Sequence, residues 1–180
     1  MSLIITDTPV PASRTLWDSV NLRGITQAKA GDMVAYYLNH RYAVPSIAYV
    51  EDLFSPEAYR LLAIDTDGTR PDYARVLDVE LGDARPAQCE EWLQSFAGSN
   101  PAHASGGRGV IYCDRATIPA VRAGTGRFAL GRDYALWVAT GDGSLATGPG
   151  IVACQNVWAR TYDSSVVFDP RWLPGVGAAG

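Results

Sequence analysis

Two carboxylates separated by one residue are the most chemically suggestive feature of this sequence. Asp78 and Glu80 end the apolar segment VLDVE at residues 76–80, and a turn-like LGDARP follows. Because alternate residues of a strand share one face, both carboxylates are expected to point the same way. Two acids held together repel each other, and burial raises the pKa of the less solvated one. A proton donor beside an ionised acid is what glycosidic bond cleavage requires, so Glu80 and Asp78 are the predicted catalytic residues.

Acids or amides also accompany other apolar runs along the chain. Asp18 ends RTLWD, Asp65 ends RLLAID and Gln155 ends IVACQ, while Asp163 stands just before the last run. Such residues ordinarily cap strand ends and turns, so each one alone has a structural explanation. Convergence at one barrel mouth would instead gather all four beside the catalytic pair. These four residues are therefore predicted to bind substrate.

Aromatic residues occur in the same apolar runs, at Trp17, Tyr36, Tyr112 and Trp137. Their faces could stack on sugar rings if they line the mouth, and ordinary core filling is an equal alternative for each. On the first interpretation, Tyr36, Tyr112 and Trp137 join the predicted substrate-binding residues.

The cysteines and histidines favour neither a disulfide framework nor a metal site. Cys89, Cys113 and Cys154 are odd in number and form no CxxC pair, which predicts buried free thiols. His103 lies in a loop-like stretch, and His40 follows a predicted strand as a candidate pocket wall. No metal and no cofactor are predicted, since the spacing of the acids does not resemble a calcium loop.

Composition and charge limit the partners of this protein. The chain has 180 residues, a formal net charge of −4 and no basic run, which argues against nucleic acid as a partner. No apolar stretch is long enough to span a membrane, so no membrane partner is expected. The N-terminus also lacks the pattern of a secretory signal, and the protein is expected to act at the cell wall only if it is exported.

Eight short apolar runs, most of them 10–25 residues apart, indicate alternating strands and helices. Several are nearly continuous in apolar residues, as is typical of parallel strands covered on both sides. Because complete barrels of this type usually need 200 residues or more, the prediction is a compact α/β fold, a (β/α) TIM-like barrel with some shortened or missing helices. The predicted strands are residues 15–19, 33–38, 60–65, 75–79, 109–113, 134–139, 151–155 and 165–168.

Helices are predicted at residues 46–54, 86–97 and 116–123. The second has the clearest buried face, with Asp83 as its expected N-cap and Gly98 as its expected terminator. The tract 130–151 has room for a strand but hardly for a full helix as well. Residues 1–13 are interpreted as an N-terminal tail, 14–174 as the barrel domain and 175–180 as a Gly/Ala-rich linker, and both ends would suit fusion to further domains.

The order of these motifs resembles a known enzyme family. LWDSV, DVELGDARP, GVIYC, ALWVA, CQ and YDSSVV follow one another from about residue 15 to residue 174. This series resembles the family-25 glycoside hydrolases, the lysozyme-like muramidases of bacteria and phages. It is more similar still to a divergent group of glycoside-hydrolase-like domains from actinobacteria and their phages.

The resemblance implies a peptidoglycan-binding site at the mouth of the barrel. Glu80 would donate the proton to the glycosidic oxygen, and Asp78 would orient or stabilise the reacting sugar. Asp18 and Asp163 would contact the sugar or its positively charged transition state. Since Asp78 lies one pleat deeper than Glu80, it is expected to accept hydrogen bonds and to remain charged.

The leading hypothesis is therefore a peptidoglycan glycan-strand hydrolase, muramidase-like, that serves as an endolysin or in cell-wall remodelling. The alternative is a catalytically silent glycan-binding or virion structural module on the same fold, since Cys154 stands where the family usually has an aromatic residue before the late Gln. A third hypothesis is an acid-based enzyme for a non-glycan substrate, such as a metal-assisted hydrolase.

Overall fold

The computed structural model describes residues 4–6, 14–104 and 106–169. All eight predicted strands are present within one or a few residues of their predicted bounds. Two further short strands, Ile4–Thr6 and Leu145–Thr147, form a separate antiparallel pair. In chain order the strands are β1 Ile4–Thr6, β2 Arg14–Asp18, β3 Met33–Tyr37, β4 Arg60–Asp65, β5 Val76–Val79, β6 Gly109–Asp114, β7 Tyr134–Ala139, β8 Leu145–Thr147, β9 Ile151–Trp158 and β10 Asp163–Val167.

Eight of these strands close into a barrel in the order β10-β2-β3-β4-β5-β6-β7-β9. The neighbouring strands from β2 to β9 run parallel, as predicted. The last strand, β10, is antiparallel to both of its neighbours, β2 and β9. The predicted α/β barrel is therefore confirmed, with one strand reversed.

Two apolar layers explain why the strands read as continuous apolar runs. One set of side chains fills the barrel interior and includes Leu16, Met33 and Val76. The alternate side chains face outward, for example Leu77 and Val79, which pack under the helices. Since both faces of most strands are buried, polar residues are confined to the strand ends.

The helices are fewer and shorter than in a complete barrel. They are α1 Ile47–Leu53, α2 Cys89–Ser99, α3 Pro101–Ala104 and α4 Ile118–Gly124. The ten-residue connection 66–75 between β4 and β5 contains no helix, and the connection between β7 and β9 contains only β8. The predicted absence of a helix from tract 130–151 is confirmed.

The expected ends of the second helix are wrong in detail. A 3-10 turn at Pro86–Gln88 precedes α2, and Asp83 does not cap it. Instead, the side-chain oxygen of Gln88 accepts the backbone N–H of Arg85 at 2.9 Å, and Pro86 occupies the first turn, where its missing N–H is not needed. Gly98 lies inside α2, which continues to Ser99.

The chain ends differ in part from the predicted tail and linker. Ile4–Thr6, inside the predicted tail 1–13, pairs with Leu145–Thr147. Residues 170–180, which include the predicted linker 175–180, lie outside the described residues. None of the helices in the described part of the chain is long and apolar enough to cross a membrane.

Candidate active site

The polar strand ends meet at one end of the barrel, here called the mouth. It is formed by the C-terminal ends of the parallel strands and, because β10 is reversed, by the first residue of β10. Asp163 is the register partner of Asp18, which in turn lies beside Ala35 in the barrel interior. Residues directly opposite each other in neighbouring strands point to the same face, so Asp18 and Asp163 both point into the mouth.

Strand β5 positions the predicted catalytic pair, Asp78 and Glu80, at the mouth. Leu77 and Val79 face the helices, whereas Asp78 is the register partner of Tyr112, which faces the interior. Glu80 continues on the side of Asp78, beside Tyr112, whose hydroxyl favours the ionised form of its carboxyl group. Asp78 is 4% exposed, while Glu80 is only half-buried. Glu80 is therefore the acid of this pair that a ligand can reach.

Burial makes the two deepest acids hard to ionise. Asp18 is 3% exposed, and burial together with the neighbouring Asp163 carboxylate raises its pKa to about 8. The Tyr37 hydroxyl donates a hydrogen bond to Asp18 at 3.4 Å, which lowers the pKa of Asp18 and so opposes this shift. Burial, and then the Glu80 carboxylate, raise the pKa of Asp78 well above its ordinary value. One oxygen of Asp78 is buried without a hydrogen-bond partner. The expectation that Asp78 accepts hydrogen bonds and stays charged is therefore wrong, because its environment favours the neutral acid.

The two more accessible acids are shifted in the same direction. Burial raises the pKa of Glu80, the hydrogen bond from Tyr112 lowers it, and the nearby Asp114 and Asp163 carboxylates raise it further. Burial also raises the pKa of Asp163, which is half-buried. The carboxylates of Asp18, Asp78, Glu80 and Asp163, here called the acidic cluster, therefore all have pKa values above their ordinary values, with burial as the largest cause.

A histidine–aspartate pair borders the acidic cluster. The Nδ1 atom of His40 lies 3.6 Å from a carboxylate oxygen of Asp83, and the Asp83 charge in turn raises the pKa values of Asp78 and Glu80. His40 therefore does lie in a wall near the mouth. It has a positive φ of 62°, an uncommon conformation for a residue with a side chain.

Tyr37 is a mouth residue that the sequence interpretation missed. Its hydroxyl donates to Asp18, and its ring packs against Tyr42 with centroids 5.7 Å apart. The segment MVAYY of β3 is apolar or aromatic at every position, so it carries no alternation that could reveal which tyrosine faces inward. Tyr37 lies two residues after Ala35 and four after Met33, both of which face the barrel interior, so its side chain faces the interior as well.

The prediction that Tyr36 and Trp17 line the mouth is wrong. Both pack on the outer side of the barrel, Tyr36 against residues such as Val50 of α1. Trp17 contacts the ring of Tyr162 edge-on, with centroids 5.2 Å apart. Since each is adjacent in sequence to an inward-facing residue, an error of one position reverses the side chain.

Asp65 also points away from the mouth, which contradicts its predicted role as a substrate ligand. It is fully buried under α2, where the indole nitrogen of Trp92 donates to it at 2.8 Å and the amide of Asn39 donates at 2.7 Å. The backbone N–H groups of Gly68 and Arg70 donate at 2.9 and 2.7 Å. Asp65 therefore fixes the connection after β4.

Trp137 and Gln155 face the barrel interior and are almost completely buried. Trp137 is 1% exposed, and its indole nitrogen donates to the Ser165 hydroxyl at 2.8 Å, so it supports the floor of the mouth and does not line it. Gln155 is the register partner of inward-facing Ala139 and is almost completely buried. Cys154 faces the helix layer, so the residue before Gln155 does not reach the mouth.

The three thiols of the chain are free and buried, as predicted. Among the described residues, no group of histidine, cysteine and acidic side chains has an arrangement that could hold a metal ion. The mouth brings together a half-buried carboxyl group at Glu80, two buried acids with raised pKa values and a second half-buried carboxyl group across the opening, and such a set suits acid–base chemistry.

Comparison with known proteins gives a structural likeness and no sequence match. No protein-family model and no curated protein sequence matches the chain. Among solved structures, a muramidase from Trichobolus zukalii is similar with a TM-score of 0.54 and 15% identity, covering 86% of this chain and 93% of that one. A muramidase from Acremonium alcalophilum is similar with a TM-score of 0.51 and 13% identity over the same shares of the two chains.

An uncharacterized protein from B. stearothermophilus is also similar, with a TM-score of 0.54 and 13% identity over 89% of this chain and 98% of that one. At such low identities the likeness concerns the fold alone. The chain thus shares the barrel fold of muramidases.

Proposed function

We propose that this protein is a glycoside hydrolase that cleaves the glycan strands of peptidoglycan, with Glu80 as the proton donor. The observation that carries the proposal is the state of Glu80, which is half-buried, reachable from the mouth and raised in pKa by its surroundings. A general acid works best when its pKa lies near the operating pH, so that it holds a proton and can still release it. The fold shared with two muramidases points to the same substrate class.

The other members of the acidic cluster have complementary roles in this proposal. Glu80 transfers its proton to the glycosidic oxygen as the bond to the anomeric carbon breaks and positive charge develops on the sugar ring. Water supplies the hydroxyl group that ends on the anomeric carbon, and its proton passes to a carboxylate of the site. Asp163 is half-buried and lies across the barrel from Glu80, so it is the carboxylate best placed to carry a negative charge near that ring. Asp78 and Asp18, held neutral by burial, donate hydrogen bonds to the sugar.

The finer assignment is a muramidase that acts as an endolysin or in wall remodelling, of the divergent actinobacterial and phage type. It rests on the motif order from LWDSV to YDSSVV. Digestion of purified peptidoglycan tests it, because the sugar found at the new reducing end identifies the bond cleaved. Release of N-acetylmuramic acid ends supports a muramidase, and release of N-acetylglucosamine ends assigns the protein to another class of wall glycosidase.

A silent glycan-binding module is the second candidate. It is favoured by the low exposure of Asp18 and Asp78, which leaves little room for a sugar ring to enter the mouth deeply. The same digestion separates the two candidates. Retention on peptidoglycan with no new reducing ends assigns the silent module, whereas release of soluble fragments assigns the hydrolase.

A further inference from the structure

Exposed apolar side chains are concentrated around the mouth. Among the residues whose side chains the structure describes, five large hydrophobic side chains are exposed, and four of them lie at or just after strand ends at the mouth. Val20 comes two residues after Asp18, Leu81 directly after Glu80, and the other two are at the end of β9. Exposed apolar groups beside a polar site usually mark a ligand-binding surface.

Trp158 is the most informative member of this set. It is the register partner of Asp163 in the antiparallel pair of β9 and β10, and Asp163 is in turn the partner of Asp18. Directly opposite side chains in such a pair share one face, with Cβ atoms about 5 Å apart. The indole of Trp158, 44% exposed, therefore stands next to the Asp163 carboxylate at the edge of the mouth.

The hairpin that carries Trp158 is held firmly against the rest of the mouth. The Ser19 hydroxyl donates to the carbonyl of Thr161 at 2.9 Å. Trp17 and Tyr162 pack edge to face behind the turn. A side chain on such a fixed support loses little freedom when it binds a ligand, which favours tight binding.

A second exposed apolar side chain follows the strand end that carries Glu80. Leu81 is fully exposed and follows Glu80 at the end of β5. In the closed eight-strand order, β5 lies three places from β9, so Leu81 and Trp158 belong to well-separated parts of the rim around the acidic cluster. A ligand bound between them meets apolar surface at both sides and acids beneath. Pyranose rings suit this combination, since they have apolar C–H faces and hydroxyl edges.

We propose that Trp158 binds substrate directly, as the stacking surface for a sugar ring beside Asp163, and that Leu81 contacts the glycan on the other side of the scissile bond. This inference rests on the proposed function and names two binding residues of the same site. It also predicts that a glycan of several rings binds better than a single sugar, because the two residues belong to strands three places apart in the barrel.

The test measures glycan binding separately from cleavage. Trp158→Ala and Trp158→Phe are made both in the wild-type chain and in the non-cleaving Glu80→Gln background. Two probes are used: insoluble peptidoglycan, and a soluble tetramer of β-1,4-linked N-acetylglucosamine. The matched control is Tyr73→Ala, since Tyr73 is also an aromatic residue 44% exposed but lies in the connection between β4 and β5, outside the mouth.

Trp158→Ala is expected to raise the dissociation constant for the glycan by about tenfold or more, as loss of a central Trp commonly does in interfaces. Trp158→Phe should recover part of this lost affinity, and Tyr73→Ala should bind the glycan as the wild type does. In the cleaving background, the same variant raises KM more than it lowers kcat, because stacking holds the substrate before and during reaction. Glycan binding should also shift the tryptophan emission of the wild type, and this shift should be absent from Trp158→Phe. That readout decides the matter if Trp158→Ala fails to fold.

The outcomes distinguish this inference from the proposed function. Binding that is weakened by Trp158→Ala in a wild-type protein that never cleaves supports the stacking role and overturns the hydrolase. Cleavage and binding unchanged by Trp158→Ala overturn the stacking role and leave the hydrolase intact. If the wild type binds neither probe, or if Trp158→Ala only dissociates a dimer, the inference is wrong.

Discussion

Asp163 and Asp18 are directly opposite each other in the antiparallel pairing of β10 with β2. Both carboxylates therefore project into the mouth from the same face of the sheet. Burial of Asp18 and the charge of Asp163 raise the pKa of Asp18 to about 8. This pair shows how the barrel builds an acidic site that stays partly protonated, and it makes the stability of the protein depend on pH.

Replacement of Asp18 by Asn is expected to stabilise the protein at neutral pH. Well below pH 3.8, Asp18 is protonated in both the folded and the unfolded chain, so its ionisation does not affect stability there. Between its unfolded value of 3.8 and its folded value of about 8, only the unfolded chain releases the proton, which favours unfolding as the pH rises. Asn removes this effect, which amounts to a few kcal/mol since each pKa unit is worth about 1.4 kcal/mol.

Denaturant unfolding of wild type and Asp18→Asn at pH 4 and pH 7.5 measures the difference. The gain in unfolding free energy should be larger at pH 7.5 than at pH 4. An equal gain at both pH values, or a loss at pH 7.5, would show that Asp18 is ionised in the folded protein.

Removal of the Tyr112 hydroxyl is expected to move the pH profile of cleavage. The general acid must hold its proton, so activity should fall as the pH rises through the pKa of Glu80. The Tyr112 hydrogen bond favours the ionised carboxylate and lowers that pKa. Tyr112→Phe should therefore shift the alkaline limb upward by about one pH unit, the scale of a hydrogen bond to a charged group.

Tyr134→Phe is the control for this pH shift. Tyr134 is a buried tyrosine of the helix layer whose hydroxyl accepts a hydrogen bond from Thr125, far from the acidic cluster. Its loss should leave the pH profile in place. A downward shift in Tyr112→Phe would mean that the hydroxyl stabilises the protonated form of Glu80.

Asp65 is expected to contribute to stability and not to catalysis. Asp65→Ala removes the acceptor of the Trp92 indole and of the backbone N–H groups after β4, so the free energy of unfolding should fall by about 2–4 kcal/mol. The fraction that remains folded should cleave at the wild-type rate. Asp72→Ala, in the same connection but exposed, should change stability by less than about 0.5 kcal/mol. A large loss of kcat in folded Asp65→Ala would show that Asp65 takes part in catalysis.

The thiols are expected to be inert in the folded protein. Burial raises the pKa of Cys89 to about 12 and raises the pKa values of Cys113 and Cys154. A thiol reagent such as Ellman's reagent should label none of the three in native protein and all of them in guanidinium chloride. Rapid labelling of one thiol without denaturant would contradict the packing of the helix layer.

The sequence predicts the strands well because their apolar runs end at polar residues. All eight barrel strands and the absence of a full helix after β7 follow from this pattern. Side-chain direction is less well predicted. Tyr36 and Tyr37 are adjacent in a run that is apolar or aromatic throughout, and only the strand register shows that Tyr37 is the one facing inward.

Other features depend on tertiary contacts that no local pattern records. The direction of β10 is invisible in DSSVV, since an apolar run reads alike in either direction, yet this reversal brings Asp163 to the mouth. The neutral state of Asp78 depends on how deeply the finished barrel buries it. Asp65 is predicted at the mouth because strand ends carry acids, but its partners are Trp92 of α2, which lies 27 residues further along the chain, and backbone N–H groups of the connection after β4.

The central claim is that Glu80 supplies the proton for glycosidic bond cleavage. Its most direct test is the rate at which new reducing ends appear in purified peptidoglycan treated with wild type, Glu80→Gln or Glu91→Gln. Glu91 is an exposed glutamate of α2, so Glu91→Gln is the matched control for the same chemical change. We expect wild type and Glu91→Gln to cleave at the same rate. Glu80→Gln should fold and bind peptidoglycan but cleave it more slowly, by about a hundred- to ten-thousand-fold. Cleavage by Glu80→Gln at the wild-type rate, or no cleavage of any peptidoglycan by the wild type, would contradict it.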